Sequence, residues 1–185
     1  MGIVPSTIVR ILCVWKHYNE FGNSFGFKPR FILEKGRLKL IKNIINSEDK
    51  FMKYKQYLSE IRKYDYFYET KFKKEMIKPP YFTSLLKNPS RNTHLISSII
   101  WYSWFKKEKV KDYSTPMQII MKINLKLRYK LYTKNEEAVS LLIKLVEDFA
   151  DYGRKNDFTP VFLFMPQKDD LLFIRKKKKW YYSDF

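Results

Sequence analysis

The sequence predicts an α/β fold, on three observations. Residues 133–172 read as an amphipathic helix, a loop, an apolar strand and a further helix; residues 30–42 read as a β-hairpin; and most of the remaining chain carries helical spacing. In the first of these stretches Ala138, Leu142, Leu145 and Phe149 recur at helical intervals, flanked by Val139, Leu141, Val146 and Ala150. Lys144, Glu147, Asp148 and Asp151 take the other side, so one wide apolar stripe faces a core. Thr133 and Glu136 have the spacing of a capping box, and Gly153 with the polar run after it ends the helix. Val161–Met165 then lies between Pro160 and Pro166 with no polar residue inside it. It is too short for a helix and reads as a strand buried on both faces, which makes helix plus strand half of a parallel α/β unit.

The elements before that unit follow in order. Residues 6–21 open after Pro5 with Ser6 placed to cap a helix, yet Ile8, Val9, Ile11 and Val14 would also suit a strand. Periodicity does not decide between the two; helix is the reading adopted. Gly22, Gly26 and Pro29 interrupt regular structure. From Arg30, Phe31 and Leu33 alternate with Ile32 and Glu34, Lys35-Gly36 supplies a turn, and Leu38 and Leu40 alternate with Arg37 and Lys39. Ser47 caps a helix over 47–62 with Phe51, Tyr54, Leu58 and Ile61 on one side. An aromatic stretch, Tyr64 to Phe72, packs its rings on the domain, and Lys78-Pro79-Pro80 marks a loop. A helical turn over 81–87 stops at Asn88-Pro89; Ser90 or Asn92 starts a helix with Leu95, Ile99, Tyr102 and Phe105 on one face. Thr115-Pro116 opens another, running to about Leu131 and lined by Ile119, Ile123 and Leu127.

With 185 residues and 45% apolar composition the chain suffices for one domain over 1–185 with a real core. Its 37 Lys+Arg against 19 Asp+Glu leave a net charge of +18, which draws polyanions and anionic surfaces but does not specify a fold. The lysines are scattered, so a solvated basic surface is the plain reading, and compositional bias of the source genome would give the same pattern. A single cysteine, Cys13, rules out an intrachain disulfide. No apolar run approaches the roughly 20 residues that span a bilayer, and Ile8–Trp15, with Arg10 inside it, is no convincing signal peptide. A cytoplasmic protein without a transmembrane segment is expected.

Few residues offer chemistry. His17 and His94 are far apart, and neither has Cys, Asp or Glu at metal-ligand spacing. Cys13 reads as a small core residue rather than a nucleophile. Without a phosphate-binding glycine loop or a zinc pattern, no cofactor and no metal is expected. Of Asp169 and Asp170, one reads as the cap of the following helix rather than a general acid. The C-terminal run Arg175, Lys176, Lys177, Lys178, Lys179, followed by Trp180 and Tyr181, sets cations beside rings. That suits phosphate attraction with base stacking, whereas a solvated basic helix would turn the same rings inward.

Three segments resemble, in order, parts of the SGNH/GDSL hydrolase superfamily, in its insertion-bearing members. They are His17–Asn43 with its Lys28-Pro29-Arg30-Phe31, the aromatic Lys63–Phe72 with Tyr64-Asp65-Tyr66, and Thr159–Phe185 with Pro166, Asp170 and Leu171. The three segments make up about a third of the chain, and the resemblance implies a partial three-layer, doubly wound, flavodoxin-like fold, with the 30–42 hairpin and residues 43–90 inside an insertion. Residues 115–185 would be the C-terminal helix-strand-helix unit of its core. The family activity it implies is hydrolysis or acyl transfer at ester bonds. These segments are scaffold rather than catalytic blocks. Gly22-Asn23-Ser24 imitates the family's Gly-Asp-Ser block, which makes Ser24 a weak candidate nucleophile, but Asn stands for Asp and no buried strand precedes it. The family's Asp-x-x-His occurs nowhere, and a serine without its base has no route to an alkoxide.

The chain therefore reads as the middle of a longer hydrolase-like protein or a degenerate copy, not catalytically competent by itself. The alternative is a non-catalytic basic module that binds nucleic acid or another anionic surface non-specifically through Arg175–Lys179. A third reading is an interaction protein using its aromatic surface. Self-association through an unpaired sheet edge is expected if Val161–Met165 lacks strand neighbours.

Overall fold

A computed structural model describes residues 2–14, 26–73, 79–105 and 114–183. They form two compact units, one of residues 1–67 with 128–185 and one of residues 68–127. Helices with a two-stranded parallel sheet and a two-stranded antiparallel one bear out the α/β class.

In the first unit β1 (Gly2–Ile3) leads into α1 (Thr7–Ile11), and the hairpin is β2 (Arg30–Glu34) with β3 (Arg37–Ile41). Its turn is Lys35-Gly36, both at positive φ, and the register sets Phe31 against Leu40 and Leu33 against Leu38, as the alternation predicts. Phe31 and Leu40 are nonetheless exposed. The strand's inward anchor is Arg30, buried because main-chain carbonyls receive its guanidinium. Ser47 does cap, its Oγ accepting from Lys50 N at 3.3 Å, but the helix over 47–62 is broken at Lys53. It becomes α2 (Glu48–Met52), a 3-10 turn (Tyr54–Tyr57) and α3 (Leu58–Tyr64), with Ile61 fully buried. At α1, Ser6 makes no side-chain cap bond.

The second unit contains α4 (Tyr81–Leu86) packed on α5 (Pro89–Trp104). Pro89 takes the first turn of α5, so that helix starts ahead of Ser90. Then α6 (Ser114–Lys134) extends to residues 128–134, which belong to the first unit.

Back in the first unit, α7 (Glu136–Lys155) carries the predicted stripe: Ala138, Leu141 and Leu142 are buried, and α7 packs on α1, β2 and β3. Its cap is Asn135, whose Oδ1 accepts from Ala138 N at 2.9 Å. Thr133 instead lies inside α6 and donates to Tyr129 O at 2.8 Å, which corrects the capping-box reading. Gly153 is likewise inside α7 rather than its terminator. A Cβ there would sit 3.0 Å from Phe158 O and from Pro160 Cδ, so the glycine lets the following loop fold back onto the helix.

The segment between Pro160 and Pro166 departs most from expectation. Only β4 (Leu163–Phe164) is strand, parallel to β1 with Gly2 beside Leu163 and Ile3 beside Phe164. Val161 is 67% exposed and Leu163 58%, so the segment is not buried on both faces. The cause is its short pairing: β1 contributes two residues, and the inward side chain Phe162 packs on Phe149 at 5.5 Å while its neighbours point to solvent. The last element is α8 (Lys168–Lys177), ended by Lys178 in the left-handed conformation.

Candidate functional site

Three clusters in the first unit hold the side chains with chemical capacity. The first surrounds Asp65, at the end of α3. Its carboxylate accepts from Val14 N at 2.7 Å and Phe67 N at 2.9 Å, tying the end of the α1 segment to the chain after α3. Beside it Arg30 Nη1 donates to Leu12 O at 2.8 Å and Tyr64 O at 2.6 Å. Burial pushes the Arg30 guanidinium down from its ordinary value, opposed by the charge of Asp65. Burial also pushes the Cys13 thiol up, and its Sγ lies 3.3 Å from Arg10 O. A thiol held protonated in the core is no nucleophile, as expected from the sequence. A cleft of about 300 Å³ opens here, between Arg30, Asp65, Tyr66 and the start of α7 at Asn135 and Glu137. It presents both signs of charge.

The second cluster is built on Asp170, which is fully buried. Gln167 takes the N-cap position of α8 and Asp170, in the first turn, completes the capping box, the Gln167 main-chain N–H donating to Asp170 Oδ2 at 2.7 Å, so Asp170 has the capping role that the sequence suggests. The other oxygen accepts from Tyr181 Oη at 2.5 Å. Arg128 brings the compensating charge, Nη1 standing 3.7 Å from Asp170 and 2.6 Å from Gln167 Oε1, with Nη2 3.6 Å from Asp169. Tyr129, Tyr132, Phe173 and Tyr182 crowd their rings around Tyr181. Burial raises the phenols of Tyr132 and Tyr181 far above the ordinary value, with the Asp170 hydrogen bond adding to the second, and Tyr182 is pushed up to about 12. A carboxylate so saturated and sealed is scaffold; it has no path to a substrate proton.

The third cluster is the basic run. Arg175, Lys176, Lys177, Lys178 and Lys179 are all exposed, while Tyr181 is buried and Trp180 half-buried, stacked on Tyr182 at 5.3 Å. The rings turn inward, as the solvated-helix reading requires.

Ser24 and His17 lie outside the described residues. His94 is exposed on α5. Among the described residues no group of His, Cys, Asp and Glu could hold a metal ion, and no helix is long and apolar enough to cross a membrane. No family model, no curated protein and no solved structure matches the chain. Sequence reasoning missed Arg30 and Arg128 as buried charges. Their signal was available: in a chain that uses mostly lysine, an arginine is the side chain able to satisfy several fixed acceptors at once.

Proposed function

We propose that the chain is a non-catalytic basic module that holds a polyanion, foremost the phosphate backbone of a nucleic acid, on the face of Arg175–Lys179. The observation that carries this reading is the division of labour around α8: the cations stand in solvent and the rings beside them are spent on the core. Charge is offered without a stacking or base-reading surface, so attraction is to phosphate whatever the sequence. Replacing Lys176–Lys179 with Gln tests this. Oligonucleotides of different sequence should all lose affinity to the same degree, and the salt slope on duplex DNA should fall by about 0.9 for each lysine that had held a phosphate. Loss of one sequence alone, or no loss at all, would overturn it.

A second reading has a specific observation in its favour. Among the described residues, each segment that resembles the SGNH/GDSL superfamily contributes one buried charged residue: Arg30, Asp65 and Asp170. Together with the parallel pair of β1 and β4, this supports a common scaffold with that superfamily, whose activity is hydrolysis or acyl transfer at ester bonds. On this reading the chain is inactive for want of a base for Ser24. Turnover of p-nitrophenyl acetate should match that of buffer; turnover abolished by Ser24→Ala would show a working nucleophile.

A further inference from the structure

The second unit carries an apolar surface that neither reading uses. On α4, Tyr81, Phe82, Leu85 and Leu86 are exposed; on α5 and just past it, Ile96, Ile100, Trp101, Trp104 and Phe105 are exposed as well. Phe82 is 70% and Trp104 74% accessible, and Trp101 stacks on Phe105 at 4.5 Å in solvent. Ile96, Ile100 and Trp104 follow one another at helical spacing, so α5 offers a continuous stripe rather than scattered residues. Such a surface on a water-exposed helix marks a contact with something apolar.

Its charges indicate what that is. Between residues 79 and 105 there is no Asp or Glu, and the ionised residues are Lys87 and Arg91. We infer that α4 and α5 form an interfacial binding face for an anionic lipid surface, with Ile96, Ile100 and Trp104 entering the acyl boundary and Lys87 and Arg91 on the headgroup side. Tryptophan and tyrosine favour the headgroup level, and an apolar stripe with cationic flanks is the composition that lies in that plane. A nucleic acid would use the rings but gains nothing from Leu85, Leu86, Ile96 and Ile100. A second copy would match apolar to apolar but bring like charges together, in a chain of net charge +18.

Flotation of the whole protein with phosphatidylcholine vesicles, with and without phosphatidylserine, tests this, read together with tryptophan emission and quenching by acyl-brominated lipid. The protein should float with the anionic vesicles, and its emission should shift to the blue and be quenched. Trp101→Ser/Trp104→Ser/Phe105→Ser should lower partitioning by about tenfold or more, since binding scales with inserted apolar area. Ile96→Gln/Ile100→Gln is an independent variant expected to act in the same direction. Lys176–Lys179→Gln removes the polyanion face and should leave the quenching in place, which separates this inference from the proposed function. Failure to float, or flotation without acyl quenching, would overturn the inference. So would a dimer in sedimentation that the triple variant abolishes, which would make a second copy the occupant.

Discussion

In the first unit Arg30, Asp65, Arg128 and Asp170 are buried and hydrogen-bonded, whereas in the second unit Phe82, Trp101, Trp104 and Phe105 stand in water. The contrast is between two kinds of unfavourable burial state. A buried charge is tolerable only when every lone pair and proton finds a partner, and the first unit supplies those partners from its own chain. An exposed large apolar side chain forfeits about 1.5–3 kcal/mol that burial would contribute, and the second unit leaves many such residues uncovered. The first unit also leaves apolar side chains in water, Met52 and Val161 among them, but these are spread over several elements. In the second they gather on α4, α5 and the residue just past α5.

Removing one partner of a buried pair should separate the units most sharply. Asp170→Ala takes the fully buried counter-charge from Arg128, whose side chain is 6% exposed and keeps Gln167 Oε1 and Asp169, and it also leaves Tyr181 Oη and the Gln167 main-chain N–H without their acceptor. A loss of about 3–5 kcal/mol is expected in urea unfolding of the first unit. A loss under about 1 kcal/mol would mean that water already reaches the cluster. Asp65→Ala comes next, at about 2–4 kcal/mol, because the buried amides of Val14 and Phe67 lose their acceptor. Hydrogen exchange at those two amides should accelerate in the variant, and unchanged rates would refute the assignment.

The tyrosines around Asp170 extend the comparison to pH. Their folded pKa values lie above the unfolded value of about 10, so their contribution is whole below that pH and is lost as pH rises through the folded values. Alkaline unfolding beginning above about pH 10 should accompany phenolate absorbance. Tyr181→Phe should flatten that slope and, by leaving Asp170 one donor short, remove about 1–3 kcal/mol at neutral pH. Phenolate absorbance at pH 10 that appears without unfolding and is lost with Tyr181→Phe would show that this ring is open to water.

What the sequence made legible was local. The Lys35-Gly36 turn, the Ser47 cap and the stripe of α7 each depend on residues within a few positions of one another. The charged networks depend on distant partners: Asp65 meets Val14, and Arg128 meets Gln167 across the length of α7. In the sequence Arg128 stands out between Lys126 and Lys130 only as the side chain suited to several acceptors; which acceptors those are comes from distant residues. The strand between Pro160 and Pro166 failed for a related reason. An apolar run states that burial would be favourable but does not supply the neighbouring strands, and β1 covers only Leu163 and Phe164. Asn135 displaced the Thr133 cap because α6 continues past Thr133, whose hydroxyl then bonds back to Tyr129.

The smallest expected effect is the one that most directly probes the second unit. Trp104→Ser removes a ring that is 74% exposed, so little packing is lost and the change in unfolding free energy should stay within about 0.5 kcal/mol. The matched control is Leu142→Asp in the first unit, where a carboxylate would enter a fully buried site without a partner. That substitution should abolish cooperative melting of the first unit. If Trp104→Ser instead costs as much as a core truncation, about 3–5 kcal/mol, the ring is packed in solution and the second unit is closed. Retention on an apolar column distinguishes the remaining case. A solvent-facing stripe should lose retention with Trp104→Ser while the melting temperature stays fixed, because both follow from the same exposed area.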